Sequence, residues 1–119
     1  MAVAGRCPVA CDLELVATRP PELWSDMLGV ERFKLAKLIS QETQESFDAT
    51  ATRVWTVVEC LKKAGAGMSA PLVFVSAASD RWVLLASGAL KIASCVVTRN
   101  GQQEDLAIAL LTGGEDARV

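Results

Sequence analysis

Four cysteines and no histidine bound the chemistry open to this 119-residue chain. Without an imidazole there is no His-containing triad, no His general base and none of the commonest zinc ligand. Cys7 and Cys11 are separated by three residues, wider than a C-x-x-C redox pair, so a zinc site would need Cys60 and Cys95 to converge on them. Residues Met1 to Ala10 hold one Arg and no apolar run of signal-peptide length, so the thiols are expected to be reduced. Cys60 is the one conceivable nucleophile, yet it falls late on a helical pattern beside Glu59. A helix C-terminus raises a thiol pKa, so Cys60 reads as a buried structural thiol, and Cys95, inside an apolar run, reads the same way.

The remaining polar residues suggest solvated surface. Glu42, Glu45, Asp48 and Glu59 lie on or beside helices among Lys34, Lys37 and Gln41, with nothing to pair two carboxylates across a cleft. Ala64-Gly65-Ala66-Gly67 follows a helix and precedes a strand, the reverse of a phosphate-binding loop, and lacks the Gly-Lys-Ser/Thr ending. The net charge is −2, the basic residues are dispersed, and Lys62-Lys63 is their only adjacent pair, so neither nucleic acid nor an anionic membrane is expected as a partner. No apolar run approaches the ~20 residues of a membrane span. No catalytic, metal or cofactor site is expected.

The elements that would position any site follow from periodicity. Residues 1–29 are read as an arm, with an extended piece at Leu13–Ala17 and one or two helical turns from Pro21 to Gly29. Val30 to Ser46 reads as a helix with Phe33, Leu35, Leu38 and Ile39 on one face. Asp48 is taken as the N-cap of a second helix bearing Ala51, Val54, Trp55, Val58 and Leu61, with Lys62 and Lys63 in its last turn and Gly65 at the left-handed position beyond. Then Leu72–Ala78, Trp82–Ala89, Ile92–Arg99 and Asp105–Leu111 read as strands. Asp80-Arg81 fills the first break and Asn100-Gly101 signals a type I′ turn at the last, whereas the break near Lys91 has no turn residue and allows one long strand instead. The expectation is α+β, two helices packed on a four-stranded antiparallel sheet over residues 30–112, with 113–119 a frayed tail.

One physical difficulty remains. Leu72–Ala78 and Trp82–Ala89 carry no charge. Strands apolar on both faces belong to sheets covered on both faces, and two helices cover one. The sequence therefore implies a dimer or a fixed partner, and Trp82–Ala89, with neither Lys nor Pro to blunt it, is interior, exchanged with a partner or a docking edge.

The order helix, helix, four strands resembles the Tctex-type dynein light chains. The match is sharpest at Phe47-Asp48, six residues, then Trp55-Thr56 followed by Val57-Val58-Glu59. Leu72-Val73-Phe74-Val75, Leu85-Ala86-Ser87-Gly88 and Ser94-Cys95-Val96-Val97 are similar to the family's strand segments, while Ala77-Ala78-Ser79-Asp80 replaces its Met-Gln, as in a divergent, axonemal-type member.

The resemblance implies a non-catalytic, dimeric adaptor of a microtubule motor protein complex, in cytoplasm and cytoskeleton or in the axoneme of a cilium or flagellum. In that family the second strand is exchanged between protomers, the helices lie outside, and an extended segment of dynein intermediate chain binds by strand addition. Carried over by register, Leu84, Leu85, Ala86, Ser87, Gly88 and Ala89 form the exchanged or docking segment, with Phe74 and Val96 as pocket residues. The partner light chain is an identical or a different Tctex-type chain. Two alternatives stand beside this reading. One is a roadblock-like scaffold subunit, which needs a helix between its second and third strands. The other is a small thiol-dependent enzyme using Cys60.

Overall fold

Helical periodicity in the first half of the chain and strand alternation in the second produce an α+β structure. The computed structural model describes residues 10–66, 70–78, 80–98 and 105–113. It runs β1 (Ala10–Leu15), α1 (Pro21–Leu28), α2 (Val30–Thr43), α3 (Phe47–Lys63), β2 (Val73–Ala77), β3 (Trp82–Ser87), β4 (Leu90–Thr98) and β5 (Asp105–Gly113). The five strands form one antiparallel sheet in the order β1-β5-β4-β3-β2, with the helices on one face.

Helix α3 is the spine. It lies between the sheet and the other two helices, so nearly its whole circumference is buried, and only Trp55 and Glu59 are partly open between Ala49 and Leu61. Its polar side chains are satisfied locally: the Thr52 hydroxyl donates to the Asp48 carbonyl at 2.8 Å and Thr56 to the Thr52 carbonyl at 2.7 Å. Val54, Val57 and Leu61 meet Val83, Leu85, Ile92 and Leu111 in the core, each side chain contributing about 1.5–3 kcal/mol by burial. The helix ends as its sequence suggests. Gly65 takes φ 90° beyond Ala64, its N–H donates to the Lys62 carbonyl, and the Ala66 N–H reaches the Leu61 carbonyl, a Schellman closure.

The start of α3 lies two residues earlier than the sequence suggested. Ser46 is the cap, its hydroxyl accepting from the Ala49 N–H at 3.1 Å, and Gln44 in the left-handed region (φ 64°) ends α2 at Thr43. Asp48 sits in the first turn of α3 and bonds elsewhere. The buried residues of α2 are Ala36 and Ile39, while Leu38 is 41% exposed, so the expected apolar face is rotated.

The count of two helices and four strands is corrected to three and five among the described residues. Residues read as an arm are built into the fold: β1 pairs with β5 over six residues, and α1 places Trp24 (1% exposed) in the core. Gly29, at φ 85°, turns the chain from α1 into α2. The β3–β4 connection is a two-residue turn, Gly88-Ala89, with Gly88 at φ 61° in the glycine-first position of a type II′ hairpin. That excludes one long strand from Trp82 to Arg99, and it leaves no room for the helix a roadblock-like order needs. The Asn100-Gly101 turn and the tail beyond Gly113 lie outside the described residues.

Candidate functional site

Opposed residues of antiparallel strands share a face, so the pairing register sorts every strand side chain. Beneath the helices lie Val83, Leu85 and Ser87 of β3, Ile92, Ser94 and Val96 of β4, and Ala107, Ala109 and Leu111 of β5, all buried. The opposite face carries Cys11, Leu13 and Leu15 of β1, Leu106, Ile108 and Leu110 of β5, Ala93, Cys95 and Val97 of β4, Trp82, Leu84 and Ala86 of β3, and Val73 of β2. No element of the described chain covers it. Leu13 is 57%, Leu15 49% and Val73 54% exposed. Lys91 is the one charged side chain that the register puts on this face, at the end of β4. The rest of the face is partly exposed, apart from Cys95, which is buried among its neighbours.

Strand β1 shows the inversion most plainly. Its inward residues are Ala10, Asp12 and Glu14 and its outward residues are Cys11, Leu13 and Leu15. The Lys63 ammonium donates to Asp12 Oδ1 at 2.7 Å and to the Cys11 carbonyl at 3.1 Å, tying the end of α3 to the strand. The hydrogen bond to Asp12 raises the Lys63 pKa. Glu14 is also pushed above the usual carboxyl range, first by desolvation and then by the charges of Asp12 and Glu59.

The sheet has two edges, β1 and β2. In β2 only Phe74 is partly buried, and Val73, Val75, Ser76 and Ala77 are exposed. The register slips between Phe74 and Ser76, leaving Val75 as a bulge. The β2–β3 hairpin closes with the Ala78 N–H donating to the Trp82 carbonyl at 2.8 Å, and Arg81 adopts φ 72°.

The residues expected to dock a partner are distributed differently. β3 lies between β2 and β4, so both its edges are bonded within the chain and it offers no free edge. Leu84 and Ala86 point to the open face, Leu85 and Ser87 point under the helices, and Gly88 and Ala89 form the turn. Phe74 opposes Leu85 on the helix side. Val96, buried on the same side, is four residues along β4 from Ile92, which opposes Leu85. That separation is about 13 Å at strand rise, so Phe74 and Val96 form no common pocket.

The family-signature residues hold the helical layer together. Phe47 packs edge-on against Phe33 with ring centroids 5.1 Å apart. Asp48 Oδ1 accepts from the buried Trp24 indole N–H at 2.9 Å and from the Arg19 backbone N–H at 3.1 Å, fixing α1 and its lead-in to α3. Trp55 is half-buried and Thr56 buried.

Sequence reasoning missed Arg53, a charged side chain with no exposed surface. It donates from Nε and Nη2 to the two oxygens of Glu45, and from Nη1 to the Ser94 carbonyl at 2.9 Å and the Ser94 hydroxyl at 3.1 Å. Arg81 approaches the same Glu45 carboxylate at 3.6 Å and Asp105 at 3.7 Å. This network clamps α3 to the sheet and to the α2–α3 corner. Beside it an open depression of about 390 Å³ is lined by Glu42, Thr43, Glu45, Ala77, Ala78 and Arg81.

Two of the thiols, Cys60 and Cys95, are buried. Burial, followed by the Asp12 charge, pushes Cys60 up to about 11, and its Sγ lies 3.9 Å from the Ala109 carbonyl. Burial also raises Cys95. Cys11 is exposed, and Cys7 lies outside the described residues. Among the described residues no three His, Cys, Asp or Glu side chains gather as metal ligands, and no helix is long and apolar enough to cross a membrane. No family model matches the chain, and the searches of curated proteins and of solved structures returned no match.

Proposed function

We propose that this chain is a non-catalytic interaction subunit of the Tctex-type dynein light chain kind. It pairs with an identical or similar light chain and holds an extended segment of dynein intermediate chain in an axonemal or cytoplasmic motor complex. The observation that carries the adaptor reading is the uncovered apolar sheet face, bordered by a β2 edge without Lys or Pro. The resemblance at Phe47-Asp48 and Trp55-Thr56 supports the dynein assignment. Docking is moved from β3 to β2, because strand addition needs unpaired N–H and C=O groups. Backbone hydrogen bonds along Val73–Ala77 would supply affinity, with the exposed Val73 and Val75 side chains meeting the alternate residues of the bound segment.

Fluorescence anisotropy with overlapping intermediate-chain peptides tests this. Saturable binding of an extended peptide, lost in the doubly substituted Val73→Lys/Val75→Lys chain, is the expected result. Binding that survives the two lysines, or no saturable binding by any peptide, refutes the assignment.

A further inference from the structure

The edge strand β2 buries little of itself, yet arginines hold the chain at both of its ends. We propose that Arg32 and Arg81 are positioning residues of the docking edge, keeping β2 extended and its free backbone groups preset for strand addition before a partner arrives. This deepens the adaptor reading, on which it rests for treating β2 as the docking strand.

Three observations carry it. The first is how lightly β2 is packed. Four of its five residues are exposed, its ladder with β3 has four pairs, and that ladder slips at Val75. A strand with so few buried contacts opens easily, and each residue that must be re-ordered on binding weakens the complex. The second lies at the entry. Arg32 Nη2, in the first turn of α2, donates to the Ala70 carbonyl at 2.9 Å, three residues before the strand. At the other end of α2, Glu42 and Thr43 share the open depression with Ala77 and Ala78. The helix therefore runs beside β2 in the same direction, and its first turn fixes where the strand begins. The third lies at the turn. The Arg81 carbonyl accepts from Nη1 of the buried Arg53 at 3.4 Å, and the Arg81 side chain reaches the Thr98 hydroxyl at 3.5 Å, Glu45 at 3.6 Å and Asp105 at 3.7 Å. Residue 81 is thus tied to α3, to the α2–α3 corner and to both β4 and β5. Its φ of 72° strains an arginine and suits glycine or asparagine better. Reach is what arginine adds there.

A preset edge shows itself in the rates. When only a fraction of molecules present a competent strand, the observed association rate falls by that fraction, and dissociation of the formed complex is unchanged. A side chain that touches the bound segment does the reverse, because its loss speeds dissociation. One experiment therefore separates the two roles.

Stopped-flow binding of the intermediate-chain peptide to the full chain, together with hydrogen exchange of the peptide-free chain, tests the proposal. The variants are Arg32→Ala, which suits a helix, and Arg81→Asn, which suits a positive φ, with circular dichroism confirming the fold of each. Expected are at least ~5-fold slower association for each variant and dissociation within about 2-fold of wild type. The β2 amides bonded to β3 should exchange at least ~10-fold faster while those of α3 keep their protection. Arg32→Lys retains a donor for the Ala70 carbonyl and should restore association to within about 2-fold of wild type. Unchanged β2 exchange in both variants, unchanged association, or an affinity loss carried by faster dissociation would each overturn it. A wild-type chain that binds no peptide refutes the adaptor reading, whereas a wild type that binds, with both variants unaltered, refutes only this one.

Discussion

Replacing Glu45 with Gln is expected to be among the most damaging single changes in the chain, although it removes no volume. Arg53 has no exposed surface, and Nε and Nη2 both donate to the Glu45 carboxylate. Glutamine keeps the shape but cancels the counter-charge and can turn an amide N–H toward the guanidinium. The Ser94 carbonyl and hydroxyl still accept from Nη1, yet they carry no charge. Orphaning a buried ion costs about 3–5 kcal/mol, against a total stability of about 5–15 kcal/mol for a domain. With a urea m-value of about 1.5 kcal/mol/M, the midpoint should fall by roughly 2–3 M. Arg53→Met should cost less, because Glu45 retains the partly exposed Arg81 at 3.6 Å. Glu31→Gln, at an exposed position of α2, should stay within about 0.5 kcal/mol. Urea titrations at one fixed protomer concentration compare the three. A Glu45→Gln midpoint within about 0.3 M of wild type, or the reverse order of Glu45→Gln and Arg53→Met, would refute the reasoning that the pair is a desolvated clamp.

Three further outcomes follow from single contacts. Asp48→Ala removes the acceptor of the buried Trp24 indole and should cost about 2–3 kcal/mol by urea denaturation, with Asp48→Asn recovering part of it. Glu14 has a folded pKa above its ordinary 4.5, so its contribution is fully present below that value and is lost as pH rises through the raised one. Glu14→Gln should therefore raise the melting temperature at neutral pH, with the gain vanishing below about pH 4, and a gain that grows on acidification contradicts this. Cys60, pushed up to about 11, should resist iodoacetamide at neutral pH until the chain unfolds, whereas rapid alkylation of the native protein would revive a thiol chemistry.

The α+β class, α3 and the four C-terminal strands were legible because their periods are clean. What escaped detection is instructive. Only the end of β1 was legible, as the extended piece from Leu13, because its alternation is inverted: Asp12 and Glu14 turn inward, where Lys63 meets Asp12, and Leu13 and Leu15 turn outward. A strand whose apolar side faces away from the helices reads as an irregular arm to anyone assuming one buried face. Gly88 was absorbed into an apolar run, because a type II′ turn needs one glycine and otherwise leaves no polar mark. Ser46 and Asp48 are both good capping residues, and only the tertiary demand of Trp24 decides between them. Arg53 on a helix reads as surface, since its burial depends on Glu45 and Ser94 arriving from distant segments. The uncovered face was visible as charge-free strands, but which residues form it waited on the register.

The most direct test of whether that face is an interface is hydroxyl-radical footprinting of the native protein in solution, which reads coverage whatever the partner. Leu13 and Leu15 are 57% and 49% exposed in the single chain, comparable with Val30 at 62% and Leu38 at 41% on α2. If the face is covered, Leu13, Leu15 and the β5 residues Ile108 and Leu110 will be protected while Val30 and Leu38 are oxidised freely. Oxidation of Leu13 and Leu15 at the rate of Val30 would mean that the sheet stands open to water, and the account would be wrong at its centre.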